Sequence, residues 1–176
     1  EQLGYTPNFA ARFMAAKRTF TIGAIIPTME NAIFARGVQA FQETLDAHGY
    51  TLLVSSSAYN AEAETRQIRN LVARGADGLL LIGHDRDPAI YDYLATQQVP
   101  VLVAWSFDAA ARAPSIGFDN RKAMRALAQK TINTGHRRIA MISGITAQND
   151  RARMRVAGVR DAMALCGLKA EALDLL

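Results

Sequence analysis

The chain has 176 residues, half of them hydrophobic and 20% charged, which is ordinary globular composition with enough apolar side chains for a core. Its 20 lysines and arginines against 16 aspartates and glutamates leave a formal charge of +4, too dispersed for more than a weak general attraction to anions. A single cysteine excludes an internal disulfide framework and fits a reducing compartment. No apolar run approaches the ~20 residues of a membrane span and no apolar signal region opens the chain, so the expected location is the cytoplasm and no membrane partner is expected.

The segment up to Arg18 carries Arg12, Lys17 and Arg18 against Glu1, a local basic excess. Within it Pro7-Asn8 offers an N-cap at Asn8, and Phe9 to Lys17 reads as a short helix of good formers. A helix that short is marginal alone and is expected to order on a partner. From Thr21 onward, short apolar runs alternate with segments of helical period. Thr21 to Pro27 is a first strand, apolar almost throughout, as a strand buried on both faces must be. Ile33 to His48 follows as a helix with Phe34, Val38, Phe41 and Leu45 on one face. Thr51 to Ser55 is a second strand and Glu62 to Arg74 a second helix, with Ile68, Leu71 and Val72 inward and Gly75 just past its end. Gly78 to Ile82 is the third strand. Pro88 marks a helix start, giving a helix over Ala89 to Gln97 and a fourth strand over Val99 to Ala104.

Beyond a polar, alanine-rich connection, Ser115 to Phe118 is a short strand and Asn120 to Asn133 a helix stopped by Gly135. Arg138 to Ser143 is expected as another buried strand, Arg151 to Leu165 as a helix stopped by Gly167, and Leu173 to Leu176 begins one more strand. Cys166 belongs in or near the core and is no catalytic thiol, since no local signature accompanies it. This alternation implies an α/β fold with a doubly wound parallel sheet and right-handed crossovers. Ligands bind such sheets beyond the carboxyl ends of the strands, which directs attention to the loops after Ile26, Ser55, Ile82, Ala104 and Ser143.

Several chemistries find no support in the residues. The first strand is followed by Pro27-Thr28-Met29-Glu30-Asn31 instead of a glycine-rich phosphate loop, and no Gly-Lys-Ser or Gly-Lys-Thr occurs. His48, His84 and His136 are not paired at metal-ligand spacing. Ser55, Ser56 and Ser57 lack the glycines of a nucleophile elbow and read as loop serines. The expectation is a non-enzymatic protein with no metal, no cofactor and no catalytic residues.

Two stretches far apart carry a resemblance. The first is Leu3-Gly4-Tyr5-Thr6-Pro7-Asn8, then Ala11-Arg12, Arg18-Thr19 and Ile22-Gly23. The second is Gly117-Phe118-Asp119-Asn120, then Gly135-His136-Arg137-Arg138-Ile139-Ala140 and Gly144. Together with Gly49-Tyr50 and Asp77-Gly78-Leu79 they resemble the LacI/GalR family of bacterial transcription regulators, over the whole chain. The resemblance implies a periplasmic-binding-protein-like first subdomain plus the start of a second: hinge helix and linker over 1–19, N-terminal effector-binding subdomain over 20–135, and an incomplete C-terminal subdomain over 136–176. The helix-turn-helix head that reads bases in the major groove would precede Glu1 and is expected to be missing here.

The same resemblance implies function and site. It points to the effector-binding region of a repressor that senses a sugar or sugar acid, gluconate-like by the Asp119-Asn120-Arg121-Lys122 and Asn149-Asp150-Arg151 forms, with operator DNA as partner and a homodimer as assembly. The alternative is a periplasmic sugar-binding protein serving transport. Asn8, Arg12 and Met14 match hinge positions that meet the minor groove, Met14 as the apolar wedge. Thr28, Asn31, Phe34, Trp105, Asp119, Asn149, Asp150 and Arg155 are the effector candidates. Phe34 either faces a ligand ring or belongs to its helix's apolar stripe; Asp119 either accepts from hydroxyls or caps its helix. Trp105, at a strand's carboxyl end, lines the pocket. Arg155 either grips the effector bidentately or is part of a solvated basic face.

Overall fold

The computed structural model describes residues 18–176. The expected hinge helix, with Asn8, Arg12 and Met14, lies outside the described residues. The remaining chain forms two compact units, one comprising the residues up to Leu81 with Pro88–Val101, the other Ile82–Asp87 with Leu102–Leu176.

In the first unit β1 (Thr21–Ile26) pairs in parallel with β2 (Thr51–Ser56) on one side and β3 (Gly78–Ile82) on the other. The uninterrupted apolar runs of β1 and β3 follow from this position: four residues of β1 in succession and all of β3 are buried, whereas the edge strand β2 is half-buried at best. The start of β1 is anchored by Asp77, whose carboxylate accepts from the backbone nitrogens of Thr19 at 3.1 Å and Phe20 at 2.8 Å. Helix α1 (Ala32–Ala47) opens at Asn31, and α2 (Ala61–Ala73) at Asn60, whose Oδ1 accepts from Ala63 N at 2.7 Å. Of the expected face of α1, Phe34 is buried and Val38, Phe41 and Leu45 are half-buried. Ile68 and Leu71 of α2 join Ile25, Leu79 and Leu81, with Ile90 and Leu94 of α3 (Pro88–Thr96), in one core. The fourth strand, β4 (Val101–Ala104), begins after Pro100. Proline has no N–H for a ladder, but its carbonyl accepts from Leu79 N at 2.9 Å.

With β5 (Ser115–Ile116), parallel to β4, the strand order is β2-β1-β3-β4-β5, the order of a doubly wound sheet. The expected fold class is therefore borne out. β5 is shorter than the expected strand, ending before Gly117 and an exposed Phe118.

The second unit continues with α4 (Asn120–Asn133), β6 (Ala140–Met141), α5 (Asp150–Leu165), a 3-10 turn (Ala170–Ala172) and β7 (Asp174–Leu175). Its core is Ala128 and Ile132 of α4 against Val156, Val159, Ala162 and Met163 of α5, with Leu173. The helices approach so closely at Gly158 that a methyl group there would strike the carbonyl oxygen of Arg121 and lie 2.9 Å from Arg125 N. One expectation needs correction. Arg138 to Ser143 is not a buried strand: only Ala140–Met141 pair, in parallel with β7, Ala140 is exposed and Ile142 is 86% exposed. Ile139 and Met141 pack on the helical core, so the side chains alternate and the segment buries one face. An apolar run at both parities does not distinguish that case from a strand covered on both faces. Cys166 is half-buried against the same core. Among the described residues no helix is long and apolar enough to cross a membrane.

Candidate functional site

Polar side chains gather at the carboxyl ends of the strands, where backbone groups are leaving the sheet and need new partners. In the first unit, Thr28 follows β1 and its Oγ1 accepts from Glu30 N at 3.1 Å. Asn31 is exposed and caps α1, with Oδ1 accepting from Ile33 N at 2.9 Å. Phe34, one turn on, is 6% exposed and belongs to the buried face of α1.

The other five candidates lie in the second unit, where Asp119 and Asp150 share one cavity wall and Trp105 and Arg155 are joined through Asn120, while Trp105, Asn149 and Arg155 do not line that cavity. Trp105 directly follows β4 with φ of 61°, a left-handed conformation that costs energy for a bulky residue unless its surroundings hold it. Its carbonyl accepts from Asn120 Nδ2 at 3.2 Å. Asp119 caps α4, Oδ1 accepting from Lys122 N at 2.9 Å. Asn149 is 5% exposed and caps α5, joining Ile145 O at 2.8 Å to Ala152 N at 3.3 Å. Asp150 opens α5, where a carboxylate is favoured by the helix dipole. Its Oδ2 accepts from His84 N at 2.7 Å, and its Oδ1 lies 3.6 Å from Arg151 Nη1. Arg155 donates from Nη1 to Asn120 Oδ1 at 2.9 Å.

A cavity of about 510 Å³ opens here, with Asp119 and Asp150 on its wall beside His84, Phe107, Asp108 and Arg153. That volume is within the range of small-molecule sites. The exposed ring of Phe107, 51% accessible, offers an apolar face next to carboxylate acceptors, a combination suited to a polyhydroxylated molecule. Arg153 is committed to Asp85 Oδ2 at 2.8 Å and Thr146 O at 2.9 Å. Arg121 closes a two-bond fork on Asp161 at 2.6 and 2.8 Å. These bonds favour the charged forms, holding both guanidinium groups above and the Asp161 carboxyl below their ordinary pKa values. His84 moves the other way: burial, the largest influence, lowers its pKa and favours neutral imidazole, with Asp150 opposing and Arg86 reinforcing the shift.

Gly83 makes the approach of this loop to α5 possible. Its φ is +70°, and a Cβ there would collide with the side chains of Asp150 and Arg151. In the sequence His84 is marked only by the lack of a metal-ligand partner at the right spacing, and Asn120, Asp85 and Arg153 carry no individual role. The Asp-Asn pair was the one local signal for Asn120; the others acquire partners only through the fold.

Residues 19–176 match the family described as periplasmic binding proteins and sugar binding domain of LacI family. The chain belongs to that family. The LacI-family resemblance carried by the two sequence stretches is thereby borne out. Among its relatives are catabolite control protein A of Priestia megaterium, 29% identical over 168 residues, and the HTH-type transcriptional regulator GntR of Escherichia coli (strain K12), 27% identical over 168 residues. Each alignment covers 96% of this chain but 51% and 50% of the relative, so the chain spans about half the length of the curated relatives it matches. A LacI-family transcriptional regulator from Silicibacter pomeroyi has the same fold, with TM-score 0.87 and 24% identity over 99% of this chain and 52% of its own. The Cra transcriptional dual regulator from Pseudomonas putida, solved with fructose 1-phosphate, gives TM-score 0.74 and 25% identity over 89% of this chain and 57% of its own. GntR, the Silicibacter pomeroyi protein and Cra are named as transcription regulators.

Proposed function

We propose that this chain is the effector-binding region of a LacI-family transcription repressor that senses a sugar or sugar acid, gluconate-like compounds included. The observation that carries the reading is the family match over 19–176, joined to relatives that are named as transcription regulators. Those relatives favour a regulator over a periplasmic transport protein. In this reading the parent protein binds operator DNA as a cytoplasmic homodimer, residues 1–19 are its hinge and linker, 20–135 its N-terminal effector subdomain and 136–176 the start of the C-terminal one. The region binds and does not catalyse.

The residues divide the work by chemistry. Asp119 and Asp150 accept hydrogen bonds from hydroxyls, and Arg155 receives a carboxylate or a hydroxyl pair with its remaining guanidinium donors. Thr28, Asn31, Phe34, Trp105 and Asn149 are the other effector contacts; Asn8, Arg12 and Met14 meet the minor groove, Met14 as a wedge. Effector and operator affinities are then linked, each changing the other by the same factor.

A thermal-shift panel of sugars, sugar acids, purines and amino acids on the full-length protein, followed by operator binding with and without the stabilising compound, tests this. Stabilisation by a carbohydrate that also alters operator affinity is expected, with weaker operator binding by Met14→Ala. Stabilisation only by purines or amino acids would overturn the carbohydrate reading, and unchanged operator affinity in the variant would overturn the wedge.

A further inference from the structure

Asn120 is 4% exposed in the first position of α4, a place where helices ordinarily present polar side chains to water. A carboxamide carries donors on one side and an acceptor on the other. Nδ2 donates to Trp105 O at 3.2 Å and Phe118 O at 3.3 Å, and Oδ1 accepts from Arg155 Nη1 at 2.9 Å. The orientation of the amide is decided by chemistry: two carbonyls require the nitrogen, and a guanidinium, which only donates, requires the oxygen. One side chain thus joins the turn after β4, the segment after β5 and the first half of α5. The turn after β4 is Trp105 with its left-handed backbone, a conformation that persists only where the surroundings fix it.

Resting on the reading in which Arg155 meets the effector, we infer that Asn120 is a positioning residue that makes the Arg155 guanidinium and the Trp105 turn a single mechanical unit. A compound that draws Nη1 of Arg155 changes the hold of Oδ1, and the amide carries that change through Nδ2 to the carbonyl of Trp105. The reverse also holds, because coupling between two sites is reciprocal. An aspartate at 120 would keep the acceptor for Arg155 but present oxygen to two carbonyls, breaking the link on one side only.

The test uses full-length protein labelled with fluorotryptophan, the resonance of residue 105 being assigned by its disappearance in Trp105→Phe. Arg155→Met removes the donor to Asn120 and is expected to shift the Trp105 fluorine resonance. In an Asn120→Ala or Asn120→Asp background the same change is expected to leave that resonance in place. An equal shift in all backgrounds, or no shift in the parent, overturns the inference. A purely structural role for Asn120 would lower the melting temperature without abolishing the response. The aspartate variant serves if the alanine one does not fold. Carbohydrate binding without this coupling sinks the inference and spares the functional reading; coupling in a protein that binds no carbohydrate does the opposite.

Discussion

In the first unit the residues that hold the fold together are apolar and on the sheet, with Ile25, Leu79 and Leu81 against Ile68 and Leu71. Its long-range polar contacts include the Asp77 anchor at the start of β1. In the second unit a smaller helical core is supplemented by side-chain bonds across long sequence separations: His84 to Asp150, Asp85 to Arg153, Arg121 to Asp161 and Asn120 to Arg155. Apolar burial is non-directional and scales with area, so it stabilises without specifying the aim of any one group. Hydrogen bonds between charged or buried groups fix direction. The unit that gathers most of the candidate site is the one stiffened by directional contacts, as positioned ligand-binding groups require.

The largest expected loss of stability lies in the first core. Leu81 is 0% exposed, and Leu81→Ala should cost about 2–5 kcal/mol through lost transfer energy and the cavity left behind. Urea denaturation reads this directly, and a loss well below that range would mean that apolar packing is not what holds the first unit.

A sharper contrast comes from two glycines. At Gly23 a methyl group would meet Leu79 Cδ2 at 2.6 Å and Leu71 Cδ1 at 2.8 Å, the ends of side chains that can rotate aside; at Gly158 it meets the backbone of Arg121 and Arg125. Gly158→Ala must separate α4 from α5 and should cost about 1–3 kcal/mol, the range for overpacked cores. Gly23→Ala should cost less. Equal losses in denaturation would show that α4 and α5 yield as readily as leucine tips.

The same distinction explains what could be read from sequence. Burial of β1 was legible because a strand covered on both faces needs a continuous apolar run, and the start of α4 was legible in Asp119, which caps it; the cap that Asn31 supplies to α1 was not. Runs such as Arg138 to Ser143 were over-read, because apolar residues on an uncovered face look the same in sequence. Trp105 and Arg155 could be named one at a time from family positions. Asn120, which connects them, was visible only as half of an Asp-Asn pair: its partners are 15 and 35 residues away, too far for local spacing to show that the carboxamide is buried between them.

The smallest expected effect concerns acid. His84 belongs to the second unit, and its pKa is lowered from the ordinary 6.5, first by burial and further by Arg86, with Asp150 and Asp108 pulling it back in part. The folded state therefore prefers neutral imidazole, while the unfolded chain takes up a proton near 6.5. Between that value and the lower folded one the unfolded state binds more protons, so stability rises with pH and is lost as pH falls through this window. Because His84 is only partly buried, solvent screens the effect and the slope should be shallow. His84→Gln should flatten it. Hydrogen exchange at mildly acidic pH sharpens the contrast between units: protection at the start of α5, where Asp150 accepts from His84 N, should weaken before that of β1. Simultaneous weakening, or an unchanged slope in His84→Gln, would mean that the charge state of this loop does not govern how firmly the second unit holds its polar network.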